Sequence, residues 1–67
     1  MGNIELELNG KLYRADYSLD ENVVTVYGDR GYESTQLGGL SEQQVAKMLL
    51  RNLIKKGHVA PVDEPEV

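Results

Sequence analysis

The chain has 67 residues, a net charge of −4, no cysteine, and neither phenylalanine nor tryptophan. A chain this short forms one domain at most and buries only about 60% of the surface its unfolded form exposes. Disulfide scaffolds and thiolate metal centres are excluded, no run approaches the ~20 apolar residues of a membrane span, and the core must come from aliphatics and four tyrosines, with a partner chain a natural source of further burial.

The chain passes from Met1-Gly2-Asn3 into "IELEL" without a basic leader or an apolar signal core, so a cytoplasmic protein of bacterial or phage origin is expected. Residues 4–8 alternate strictly, Ile4, Leu6 and Leu8 against Glu5 and Glu7, the period of a half-buried strand. Asn9-Gly10 follows, and both residues tolerate the positive φ of a type I′ hairpin turn. A two-residue loop sets Leu8 opposite Lys11, Leu6 opposite Tyr13 and Ile4 opposite Ala15, with Glu5 facing Arg14 on the other side. "SLDEN", residues 18–22, has the composition of a turn. "VVTVY", residues 23–27, is β-branched and aromatic, a third strand. Val24 and Val26 inward is the favoured orientation, with the reverse left open. "GDRG", residues 28–31, is a tight turn, and "YESTQL", residues 32–37, reads as a polar fourth strand or an extended approach to a helix.

The helix is well delimited. Ser41 with Gln44 fits a capping box, Leu40 and Val45 suit a hydrophobic staple, Gly57 suits the left-handed position after the helix, and Lys55 and Lys56 complement its C-terminal dipole. Val45, Ala46, Leu49, Leu50 and Leu53 form its central apolar arc. Met48 flanks one side of that arc and Ile54 the other, wider than one sheet contact requires. Either the sheet curls around the helix to cover both, or one of them lies in a dimer or partner interface. Residues 58–67, "HVAPVDEPEV", read as an acidic, disordered tail on a domain of residues 1–57.

Charge is uneven along the chain. Residues 1–40 are net −4, residues 41–58 net +3, and the last nine residues net −3. Lys47, Arg51 and Lys55 recur at i, i+4 and i+8, one stripe on the polar side of the helix. Such a stripe is a solvated face, a contact for an acidic protein, or a track for nucleic-acid phosphates. Gly38-Gly39 ahead of Ser41 raises an anion cradle built from backbone N–H groups. The P-loop lysine is missing there, however, and Glu42 opposes an anion, so a corner between sheet and helix is the simpler reading. At least two of Tyr13, Tyr17, Tyr27 and Tyr32 fit core or cross-strand positions better than base stacking. His58 is the only histidine, and Glu5 and Glu7 are paired acids on a solvent face; neither forms a catalytic or metal-binding constellation.

The run "TQLGGLSEQQVAKMLLRNLI", residues 35–54, resembles short uncharacterised bacterial proteins, some phage-associated. In these, a polar strand ends in TQ-hydrophobic-GG and a capped LL-R-x-L helix follows. The resemblance implies a β-meander with a C-terminal helix and no activity. The reading is an α+β domain, an antiparallel meander of three or four strands with one helix packed across one face. The expected function is a non-enzymatic protein-interaction module, a homodimer among its forms, with nucleic-acid binding through the basic stripe as the alternative; no cofactor and no membrane partner is implied.

Overall fold

The computed structural model describes residues 2–62. It contains β1 (Gly2–Leu8), β2 (Lys11–Asp20), β3 (Val23–Tyr27), β4 (Tyr32–Gln36) and one helix, α1 (Glu42–Lys55). The strands form one antiparallel sheet in the order β1-β2-β3-β4, and α1 packs across one face of it, touching every strand. This is the expected α+β meander. The strand count is four, because residues 32–36 pair with β3 along their whole length.

Asn9 and Gly10 adopt φ 55° and 77°, the paired positive values of a type I′ turn, and the register that follows is the expected one, Leu8 opposite Lys11 through Ile4 opposite Ala15. The second turn is shorter than its composition suggests. Ser18, Leu19 and Asp20 belong to β2, and only Glu21 and Asn22 make the turn, at φ 50° and 66°. Pairing wins over local propensity here: extending β2 sets Leu19 opposite Val24 and Tyr17 opposite Val26, so the β-branched run of β3 gains a full partner. Val24 and Val26 point inward and are fully buried.

The core joins Ile4, Ala15, Tyr17, Val24 and Val26 of the sheet to Val45, Ala46, Leu49, Leu50 and Leu53 of α1. Each large aliphatic among them contributes about 1.5–3 kcal/mol by leaving water. Ser41 Oγ accepts from the Gln44 N–H, and Gln44 Oε1 accepts from the Ser41 N–H, a complete capping box. Gly57 at φ 76° ends the helix: its N–H donates to the Ile54 carbonyl and the His58 N–H to that of Leu53, a Schellman closure. The staple is not formed as a buried pair, since Val45 is fully buried while Leu40 is about half exposed.

β1 pairs with residues 11–17 of β2, and β3 with residues 16–20, so the two hairpins are staggered and leave a notch beside the start of β2. Residues 58–62 occupy it, which corrects the expectation of a disordered tail from His58 onward. The His58 carbonyl accepts from the Asp29 and Arg30 N–H groups, and the Ala60 N–H donates to Asp29 Oδ2. The Val62 N–H donates to the Leu12 carbonyl at 2.7 Å, and Val59 is buried in the core. A Cβ on Gly28 would stand 2.9 Å from both the His58 oxygen and Val59 Cγ2, so this close approach depends on glycine. The end of the expected tail, residues 63–67, lies outside the described residues.

Candidate interaction surface

The structure resolves the over-wide apolar sector of α1 into two different environments. Ile54 packs half-buried against the core, whereas Met48 stays 46% exposed. The fold therefore covers one flank of the helix and leaves the other open. Lys47, Arg51 and Lys55 are all exposed on the outer side of the helix, and Met48 stands one turn from Arg51. Two ion pairs occur among the described residues, Arg14 with Glu5 and Lys56 with Glu33, and neither involves the stripe. Three cations spaced over about 12 Å of helix thus lie beside one exposed thioether.

The sheet face turned away from α1 is the electrostatic opposite. Glu5, Glu7, Asp16 and Asp20 all lie on it, with Arg14 as the one cation among its paired residues. Asn3 donates to Asp16 Oδ1, Ser18 and Tyr27 share a hydroxyl contact of 3.1 Å, and Tyr27 and Tyr32 pack tilted, ring centroids 6.5 Å apart. Of the tyrosines, Tyr17 is core, Tyr13 packs partly buried against it, and Tyr27 and Tyr32 are exposed. Tyr17 reaches the start of α1. Hydrogen bonding to the Glu42 carboxylate holds its phenol above the ordinary 10.0, with burial and the carboxylate's charge adding to the effect.

Gly38 and Gly39 adopt φ 58° and 90°, and the Leu40 N–H donates to the Leu37 carbonyl, closing a two-residue corner. The corner lines an open cleft of about 490 Å³ together with Glu21, Asn22, Gln36, Leu37 and Leu40. Two N–H groups that an anion would use at the helix start, those of Ser41 and Gln44, are spent on the capping box. Glu21 in the wall and Glu42 in the first turn add negative charge, so the arrangement suits a corner better than an anion cradle. His58 lies against Gly31, and Glu5 is engaged by Arg14, so the residues with catalytic potential stand in separate places.

Two features escape a residue-by-residue reading. Glu33 sits on the helix side of the sheet, opposite Val26, and bonds Lys56 at the helix end, tying β4 to α1. The strap of residues 58–62 has no periodicity, and only the Gly28 and Gly31 flanks of "GDRG" hint that something packs there. No helix among the described residues is long and apolar enough to cross a membrane. No family model, no curated protein and no solved structure matches this chain.

Proposed function

We propose that this chain is a small non-enzymatic protein-interaction module that engages an acidic protein surface through the outer face of α1. The observation that carries the reading is the exposed Met48 beside Lys47, Arg51 and Lys55, which have no ion-pair partner among the described residues. An apolar anchor rimmed by cations fits a partner with a shallow apolar spot inside a field of carboxylates. A second copy of the chain qualifies, because its open sheet face carries Glu5, Glu7, Asp16 and Asp20 against Arg14 alone among its paired residues.

Light scattering after gel filtration tests self-association. The expected result is a mass above the monomer at high concentration, falling to the monomer in Met48→Glu and at raised salt. A monomer under every condition, unchanged by Met48→Glu, removes the self-associating form and leaves affinity capture to find an acidic partner. The same cationic stripe supports a second reading, nucleic-acid binding. A gel shift at low salt that disappears when Lys47, Arg51 and Lys55 are all replaced by alanine favours it; no shift at low salt eliminates it.

A further inference from the structure

β1 is an edge strand of seven residues, and no strand pairs with its outer side among the described residues. The two-residue turn makes Leu8 and Lys11 a hydrogen-bonded pair. Alternation then turns the backbone groups of Leu6, Ile4 and Gly2 toward β2 and those of Asn3, Glu5 and Glu7 outward. The Val62 bond to the Leu12 carbonyl fits this phase, since Leu12 lies opposite Glu7 and directs its own backbone away from β1. Proteins usually guard such an edge with a proline, a bulge or an inward charge. β1 has none of these: its pairing with β2 is unbroken, and its inner row is Ile4, Leu6 and Leu8.

The outer row discriminates between partners instead. If two copies of β1 paired antiparallel in full overlap, Glu5 would face its own counterpart, and a slip of two residues toward the hairpin would set Glu5 against Glu7. Like charges directly opposite are destabilising. What the row accepts is visible on its occupied side. There Arg14 stands opposite Glu5, with Nη2 2.8 Å from Oε2, between Tyr13 opposite Leu6 and Ala15 opposite Ile4. Glu7, opposite Leu12, has no ion-pair partner among the described residues.

We propose that the β1 edge takes up an extended segment of another protein as a fifth strand, and that this segment alternates apolar residues with lysine or arginine. The apolar positions continue the row of Ile4, Leu6 and Leu8, the cations meet Glu5 and Glu7, and the backbone groups of Asn3, Glu5 and Glu7 supply the ladder. This surface is separate from the outer face of α1; it shares Glu5 and Glu7 with the acidic sheet face a second copy would offer, and the peptide titration reads the β1 edge apart from self-association.

The probes are short capped peptides: valine alternating with lysine, valine alternating with glutamate, and the valine–lysine composition in scrambled order. Binding to the full chain is followed by titration and by amide NMR shifts. The expected result is saturable binding of the alternating valine–lysine peptide alone, with the largest shifts at Asn3, Glu5 and Glu7. Methylating the peptide nitrogens that face the edge abolishes it. Glu7→Lys, at an exposed position, keeps the dispersed amide spectrum, weakens the valine–lysine peptide by about three- to tenfold and gains the valine–glutamate peptide. The proposal is overturned if no peptide binds, if the scrambled peptide binds as tightly as the alternating one, if methylation has no effect, or if the shifts fall on Tyr32–Gln36.

Discussion

The β1–β2 hairpin turns through Asn9 and Gly10, at φ 55° and 77°; the β2–β3 hairpin turns through Glu21 and Asn22, at φ 50° and 66°. The backbone geometry is nearly the same and the chemistry is not. Asn-Gly takes positive φ at little cost, so the first turn is favoured before any tertiary contact exists. Glutamate in the left-handed region costs about 1–2 kcal/mol, so the second turn exists because the strands on either side of it insist on pairing. Leu19 opposite Val24 and Tyr17 opposite Val26 place β3 under the helix, and that burial outweighs the strain. A local preference and a distant one thus produce the same turn in two parts of one sheet.

The largest effect is expected from removing what imposes the second hairpin. Val24→Ala is expected to cost about 2 kcal/mol, because a fully buried side chain on β3 leaves a cavity under α1. Urea unfolding gives the loss, and hydrogen exchange is expected to show β3 and β4 opening before the Asn9-Gly10 hairpin. The turns themselves come next, with opposite signs. Gly10→Ala forces a Cβ into φ 77° and is expected to cost about 1–2 kcal/mol. Replacing Glu21-Asn22 with Asn-Gly is expected to add about 1 kcal/mol, because Asn and Gly accept the left-handed region that strains glutamate. No gain from Asn-Gly at residues 21 and 22 would show that the second turn is no more strained than the first.

The smallest effect concerns Tyr17, which with Asp16 belongs to both hairpins. Tyr17 faces Gly2 on one side and Val26 on the other, and Glu42 holds its phenol pKa above 10.0. A raised folded pKa stabilises the neutral form: the contribution is complete below the unfolded pKa and is lost as pH rises through the folded value. Stability is therefore expected to decline in the alkaline range above pH 10, and Glu42→Gln to shift the phenolate absorbance titration back toward the ordinary value. Glu42→Gln that leaves the titration in place would assign the shift to burial alone.

The two outer faces carry a comparable contrast. Acidic and basic segments are visible along the chain, but their placement on opposite sides of the molecule is a property of the fold. Glu5, Glu7, Asp16 and Asp20 share the open sheet face, while Lys47, Arg51 and Lys55 share the far side of the helix. The stripe was legible as spacing on a helix. Its pairing with Met48 rather than Ile54 was not, because both flank the apolar arc at similar angles, and only the tertiary packing selects which is covered. The edge role of Asn3, Glu5 and Glu7 lies between these cases: the Asn-Gly turn sets the phase, but that β1 is an edge depends on the order of the strands.

Local residue patterns suffice for the first hairpin and its register, the helix with both caps, and the inward arc from Val45 to Leu53. These rest on interactions within a few residues or on a single periodicity. Long-range packing makes Ser18 to Asp20 strand, pairs residues 32–36 with β3 and brings Glu33 to Lys56. The same holds for the docking of residues 58–62 in the notch beside β2. Each of those outcomes depends on a partner distant along the chain, and burial against that partner outweighs what the local residues prefer.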